Sequence, residues 1–207
     1  MQRDNVYKPI KAEVLKVVEE SPTIKSFVLK PEKKFSFKTG QFIEVTLEGV
    51  GEAPFTPSSS PLVTDQLEVT VMKTGYVTER MHQLQGGETI GIRGPYGRGY
   101  PLENLFDKEV LVLGGGCGFA PLRSLLYNLE AEQDNIKKVT FCYGSKNPKE
   151  CIYEPYIKEL REIKKFEVMR TVDEADESWT EEVGVATELL DKIKVNIDSS
   201  VAVVVGP

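Results

Sequence analysis

Apolar and polar residues alternate through the first half of the chain. The alternation runs over Glu13-Val14-Leu15-Lys16-Val17-Val18-Glu19, breaks at Ser21-Pro22-Thr23, and resumes over Ile24-Lys25-Ser26-Phe27-Val28-Leu29-Lys30. Gly40 to Leu47, Leu67 to Met72 and Thr89 to Arg93 repeat it. Short runs with period two, separated by turn residues, predict antiparallel strands closed into a barrel or sandwich. One short helix over Thr78 to Leu84 interrupts them, with Thr78 as its N-cap and Gly86-Gly87 as its stop. From Lys108 the rhythm changes. Strands are expected over Val110–Leu113, Val139–Tyr143, Phe166–Thr171 and Ser200–Val205, and helices over Pro121–Glu130, Glu154–Lys164 and Ala186–Ile193. Strand and helix in turn predict a parallel, doubly wound sheet. The change falls near Leu102 to Asp107, which divides the chain into residues 1–104 and 105–207.

Glycine then singles out one stretch. Val110-Leu111-Val112-Leu113 runs into Gly114-Gly115-Gly116-Cys117-Gly118, and Phe119-Ala120-Pro121-Leu122 opens a helix. Strand, glycine turn and helix start together bring bare backbone and a positive dipole end to one place, which suits a pyrophosphate. The same glycines also serve a tight turn for purely structural reasons. Three further stretches carry candidate chemistry. Glu52-Ala53-Pro54-Phe55-Thr56-Pro57-Ser58-Ser59-Ser60-Pro61 follows a strand with prolines and hydroxyls. Those hydroxyls either satisfy turn backbone or present donors to a heterocycle lying on Phe55. Lys73-Thr74-Gly75-Tyr76-Val77-Thr78 runs into the short helix, as an ordinary capped helix or a second anion site. Arg93-Gly94-Pro95-Tyr96-Gly97-Arg98-Gly99-Tyr100 is a loop with special backbone angles, and its two arginines are surface charges or anion contacts.

Composition removes several alternatives. The 207 residues carry a net charge of −6 and no Lys/Arg-rich run, which argues against a nucleic-acid surface. No apolar stretch approaches the roughly 20 residues of a membrane span. The first residues lack the apolar core of a signal peptide, so a cytoplasmic setting is expected. Cys117, Cys142 and Cys151 have no disulfide or metal spacing, and the single histidine, His82, argues against a Ser-His-Asp hydrolase. No metal site is expected.

The order of these motifs resembles the ferredoxin–NADP reductase-like flavoproteins over nearly the whole chain. Their flavin motif R-x-Y-[ST] is matched by Ala53-Pro54-Phe55-Thr56, and their pyrophosphate motif G-x-x-[ST] by Gly75-Tyr76-Val77-Thr78. Gly114 to Leu122 supplies GGGxGxAPL, Tyr143-Gly144-Ser145-Lys146 a Y-G-x-[RK] strand end, and Val205-Gly206-Pro207 stands where many members have Cys-Gly-Pro. Gly51-Glu52-Ala53-Pro54, Val77 to His82 and Arg93 to Gly97 are most similar to sulfhydrogenase gamma subunits and to the electron-transfer subunits of anaerobic sulfite reductases. Dihydroorotate dehydrogenase electron-transfer subunits are more distant.

The resemblance implies an N-terminal antiparallel β-barrel FAD domain, residues 1–104, and a Rossmann-like parallel α/β NAD(P) domain, residues 105–207, C-terminally incomplete relative to the family. It implies that FAD is held by Phe55, Thr56, Pro57, Ser58, Val71, Lys73, Gly75, Val77 and Thr78. NAD(P)H is assigned to Gly115, Gly116, Cys117, Gly118, Pro121, Gly144, Ser145, Lys146, Gly206 and Pro207. Phe55 and Thr56 stand at the reacting ring, Phe55 stacking and Thr56 donating near the flavin N5. Hydride transfer of this kind needs stacking and orientation rather than an acid or base. Ala53 departs from the family arginine, and Arg93 or Arg80 is the candidate substitute. Lys146, with no acid at that strand end, leans towards NADP while leaving NAD open. The implied activity is an NAD(P)H oxidoreductase and electron-transfer subunit feeding an iron–sulfur, hydrogenase or reductase partner. A [2Fe–2S] cluster is expected only beyond residue 207. A stand-alone flavin or small-acceptor reductase, or a non-catalytic assembly subunit that has lost flavin, remains open.

Overall fold

The computed structural model describes residues 5 and 7–206. Its first half is a six-stranded antiparallel sheet. The strands are β1 (Ile10–Glu19), β2 (Ile24–Pro31), β3 (Phe42–Leu47), β4 (Gly51–Phe55), β5 (Leu67–Met72) and β6 (Thr89–Tyr96), in the order β4-β3-β6-β1-β2-β5. Pro57 bridges Val69 of β5, and the Ser58 N–H donates to the Glu68 carbonyl at 2.8 Å. The segment leaving one edge strand therefore meets the other edge and curls the sheet into a barrel. Alternate residues point inward. Val14, Phe27, Leu29, Ile43, Val45, Val69 and Ile92 fill the interior and are completely buried.

The second half is a five-stranded parallel sheet, order β10-β9-β8-β7-β11, built from β7 (Glu109–Gly115), β8 (Lys138–Ser145), β9 (Phe166–Val172), β10 (Glu182–Val183) and β11 (Ser200–Val205). Helices α2 (Phe119–Ala131) and α3 (Glu154–Arg161) belong to this half, and an aromatic cluster forms in its core. The Phe119 ring lies 4.7 Å from Phe141, 4.8 Å from Tyr143 and 5.0 Å from Tyr153. The expected barrel and doubly wound sheet are both present.

Four local expectations are corrected. Strand β4 was not expected, because Gly51 and Pro54 sit within it; it lies on the sheet edge, where proline costs no interior ladder bond. The short helix α1 spans Tyr76–Met81, with Gly75 rather than Thr78 at its N-cap. Thr78 stands three residues inside and reaches back. Its Oγ1 accepts the Gly75 and Thr74 N–H groups, each at 2.9 Å, and donates to the Gly75 carbonyl at 2.8 Å. Ala186 begins a 3₁₀ turn, ending at Lys192, in place of an α-helix. The two-residue strand β10 had no legible pattern. Among the described residues, no helix is long and apolar enough to cross a membrane.

The two halves share a seam. Ile24 of β2 packs into the core of the second half. Ser21 and Thr23 donate to Glu150 at 2.7 and 2.9 Å, and the Tyr153 N–H donates to Glu20 at 3.2 Å.

Candidate functional site

Parallel strands end together, and here their C-terminal ends surround a cavity of about 580 Å³. Gly114, Gly115 and Gly116 form one wall, Gly144 to Lys146 another, and Val205-Gly206 a third. Glycine is required at several of these positions by contact. A Cβ at Gly114 would stand 2.7 Å from Leu122 Cδ1, one at Gly118 2.8 Å from the Val205 carbonyl, and one at Gly144 2.7 Å from Ala186 Cβ. Gly116 differs. Its φ is +51° and nothing lies within 4 Å of a Cβ there, so its bare backbone faces open space. The turn thus packs tightly on its protein side and stays clear on its cavity side.

Six expected nucleotide residues line this cavity: Gly115, Gly116, Gly144, Ser145, Lys146 and Gly206. Cys117, Gly118 and Pro121 do not; they form the turn and helix start behind it. Pro207 lies outside the described residues. The Ser145 hydroxyl is committed to the Asn147 carbonyl at 3.1 Å and to Cys151 Sγ at 2.9 Å. Asp173, Val185, Ala186 and Thr187 line the cavity and were missed. Asp173 follows β9, and its N–H donates to the Ser145 carbonyl at 3.0 Å. Gly144, Lys146 and Asp173 all line the cavity, and the Glu174 N–H donates to the Lys146 carbonyl at 2.9 Å. The signal that would have found it was the acidic run Asp173-Glu174-Ala175-Asp176-Glu177, which begins at this rim.

The second group lies on the barrel. Phe55 ends β4, and both Phe55 and Val77 of α1 are half-buried against the barrel core. A Cβ on Gly51 would stand 3.6 Å from Val77 Cγ2, so β4 and α1 are neighbours. Lys73, Gly75 and Thr78 follow from the end of β5, and Gly75 has open space around its Cα. The first-turn N–H groups of α1 have no partner four residues back. Two of the expected residues are engaged within the fold. Ser58 has no exposed surface, and its hydroxyl is spent on Glu68 at 3.2 Å and Thr70 at 3.0 Å. Val71 is 1% exposed in the barrel core, and its carbonyl is paired with His82 Nε2 at 2.9 Å. Thr56 is half-buried beside the Pro57 bridge.

The charges around Ala53 are already paired. Arg93 grips Glu52 with Nε at 2.8 Å and a terminal nitrogen at 2.6 Å, while its other nitrogen reaches Tyr96 OH at 3.0 Å. The Arg93 fork and a Thr46 hydroxyl hold the Glu52 carboxyl down at about 2. Arg93 is therefore not available in place of the family arginine. Arg80 is exposed on α1, bonded to Gln83 at 3.1 Å and lying over the Tyr76 ring.

The two groups meet. Residues 116–118 of the glycine turn come close to β5, and Cys117 and Met72 both pack against the core of the second half. Burial raises the Cys117 thiol above its ordinary value, against the opposing Met72 contact. Burial likewise pushes Cys142 up to about 11 and raises Cys151. All three remain thiols at neutral pH, poor nucleophiles in a cage without a base.

Two family models match this chain: the oxidoreductase FAD-binding domain over residues 11–100 and the oxidoreductase NAD-binding domain over residues 112–207. The sulfhydrogenase 2 subunit gamma of Pyrococcus furiosus is 30% identical, over 98% of this chain and 76% of its own length. The chain belongs to this FAD- and NAD-binding oxidoreductase family. The probable dihydroorotate dehydrogenase B electron transfer subunit of Methanocaldococcus jannaschii is 37% identical over 70% of this chain and 51% of its own. The fold matches a ferredoxin NADP⁺ reductase from Neisseria gonorrhoeae with a TM-score of 0.81 at 23% identity, covering 96% of this chain and 85% of that one. This member is thus a flavoprotein reductase that uses FAD and NAD(P)H. Gly75 in the first half and Gly116 in the second each present bare backbone to open space.

Gly118→Ala should cost about 1–3 kcal/mol by overpacking against Val205. Thermal unfolding of the flavin-free chain measures the loss; an unchanged midpoint would mean that β11 yields freely.

Proposed function

We propose that this chain is the electron-input subunit of a larger assembly, oxidising NADH and passing electrons singly to an iron–sulfur partner. The observation that carries the reading is that the glycine turn packs beside β5, whose end at Met72 leads into the Lys73–Thr78 turn. When bound, FAD supplies the conversion from a two-electron donor to one-electron acceptors. The protein's share is positioning. Residues 1–104 form the FAD-binding unit, where Phe55 offers an apolar face to the flavin ring and the Thr56 hydroxyl donates beside N5. Backbone N–H groups of Tyr76, Val77 and Thr78 take the pyrophosphate, with Lys73 and Arg80 as the nearby cations. Residues 105–207 form the nucleotide unit, with Gly115, Gly116 and Gly206 along the donor's diphosphate. Three free thiols fit a reducing, cytoplasmic compartment.

Anaerobic addition of NADH to the FAD-loaded chain should bleach the visible flavin absorbance. A chain that takes up no FAD would instead favour a non-catalytic assembly subunit, the reading that Ala53 and the occupied Arg93 support. Rapid turnover with free flavin alone would favour a stand-alone reductase. Co-purification with an iron–sulfur protein supports the subunit.

Cofactor choice follows from the cavity rim. Among the described residues lining the cavity, Lys146 is the single cation, whereas Asp173 opens a run of four carboxylates. A carboxylate there accepts from a ribose 2′-hydroxyl and repels a 2′-phosphate. NADH is therefore preferred over NADPH. Asp173→Ser should shift the ratio of kcat/KM values towards NADPH by about fivefold, the size of one charge contact at a solvated rim; steady-state kinetics with both donors reads it. Thr56→Val should slow flavin reduction about tenfold, the order of losing one oriented donor at a reacting centre, with unfolding unchanged. An unaltered stopped-flow rate removes Thr56 from the site.

A further inference from the structure

A half-buried charge pair on the seam belongs to neither candidate nucleotide-binding turn. Arg123 lies on α2, five residues after Gly118. It forms an ion pair with Glu68 of β5, and each side chain is 16% exposed. Three tyrosine rings surround the guanidinium, with centroids 4.2 Å (Tyr153), 5.4 Å (Tyr127) and 5.5 Å (Tyr156) from its central carbon. Burial opposes the Arg123 charge, but the Glu68 carboxylate together with Tyr153 and Tyr127 outweighs it and holds the guanidinium protonated. Glu68 is fixed in turn by the segment that follows Thr56. Its carboxylate accepts from the Ser58 hydroxyl at 3.2 Å, its carbonyl accepts the Ser58 N–H at 2.8 Å, and its N–H donates to Ser59 Oγ at 3.0 Å.

The connection therefore runs from the glycine turn through the first turns of α2 to Arg123. From there it crosses the seam to Glu68 and ends at the strand end bearing Phe55 and Thr56. A buried ion pair contributes little net stability over an apolar pair of the same volume. What it has and an apolar pair lacks is direction, because a short charge-assisted contact fixes both distance and angle. Arg123 Nε has no partner in the structure, so the guanidinium's ionic contact is concentrated on Glu68.

We propose that Arg123 and Glu68 are positioning residues that set the offset between the flavin-side strand end at Phe55–Thr56 and the glycine turn at 114–118. Neither lines the cavity at the glycine turn; they act through α2 and through Ser58–Ser59. This rests on the reading of the chain as a two-nucleotide reductase.

The test compares the wild type with the single variants Arg123→Met and Glu68→Gln and with the double variant Arg123→Met/Glu68→Leu. A single variant leaves one charge buried without its partner and should lower the unfolding midpoint. The double variant should unfold close to the wild type and bind FAD and NAD⁺ with unchanged affinity. Its flavin reduction by saturating NADH should nevertheless fall about tenfold to hundredfold, because misplacement of about 1 Å carries that penalty. A loss in kcat at constant KM separates positioning from binding. A second readout needs no cofactor: nitroxide labels at Lys30→Cys on β2 and Lys158→Cys on α3 should give a narrow distance distribution in the wild-type background and a broader one in the double variant. A double variant that keeps both the wild-type reduction rate and the narrow distribution overturns the proposal. A wild type that binds FAD and is not reduced by either nicotinamide donor overturns the functional reading instead, while the label distances still decide whether the pair pins the halves.

Discussion

Tyr153 is where the two halves become one body. It begins α3 with φ +59°, a left-handed conformation that a side chain of this size rarely adopts. Such a residue costs about 1–2 kcal/mol, and the surroundings account for its persistence. Its N–H donates to Glu20 at 3.2 Å, its hydroxyl bonds Thr70, and its ring lies beneath Arg123 and edge-on to Phe119. A right-handed backbone would redirect both the N–H and the ring and lose contacts to both halves at once. The chemistry explains why that matters. Nicotinamide and flavin sit on different halves, and their reacting atoms must approach to about 3–3.5 Å. A seam that can slide would spend its population in unproductive offsets.

The seam is polar, and its polar groups form a consistent circuit. Ser26 donates to Glu20 at 2.8 Å, and Ser26 and Thr70 are 2.7 Å apart. Ser58 reaches Thr70 at 3.0 Å, and Tyr153 reaches the same hydroxyl. One proton assignment gives every donor an acceptor: Tyr153 donates to Thr70, Thr70 to Ser26, Ser26 to Glu20, and Ser58 to Glu68, which leaves the Ser58–Thr70 approach without a proton between the two oxygens. The Tyr153 phenol is pushed well above its ordinary value, mainly by burial, so it remains a donor throughout the physiological range. A satisfied buried network specifies one arrangement more sharply than apolar packing, which tolerates small shifts.

The parts of this molecule legible in sequence are those whose signal is local. Period-two alternation marked the barrel strands, and strand–glycine–helix order marked the turn at 114–118. What escaped depends on residues distant in sequence. Tyr153 meets Glu20 across 133 positions and Thr70 across 83, and no pattern near Tyr153 announces either. Asp173 opens an acidic run with no local site signal, and only the pairing that continues past β8 and β9 brings it to the cavity rim near Lys146. Thr78 was read as an N-cap because threonine commonly caps from outside; here the shift of three residues turns the same hydroxyl into an internal brace. Pro54 hid β4 because a proline argues against a strand unless the strand is known to be an edge. Ser58 makes the complementary point: a hydroxyl at a motif position is bonded within the fold, to Glu68 and Thr70.

Ala53 is the clearest departure from the family pattern, and the barrel rim makes it physically intelligible. An arginine there would enter a surface where Glu52 and Arg93 already neutralise one another. That pair is durable. With the Glu52 carboxyl held near 2 rather than its ordinary 4.5, the stability it contributes is present above about 4.5 and is lost only as pH falls towards 2. An anion on this face therefore meets little net charge from β4 and β6 and must be held by directed backbone donors and by the exposed cations at Lys73 and Arg80. The glycine turn follows the same logic in the other half. Its working surface is backbone, cleared of side chains at Gly116 and locked from behind at Gly114 and Gly118. In both halves the open backbone is set by where the chain runs, with charged side chains only at the rim. This is why a seam that fixes the two backbones against each other can govern the chemistry between them.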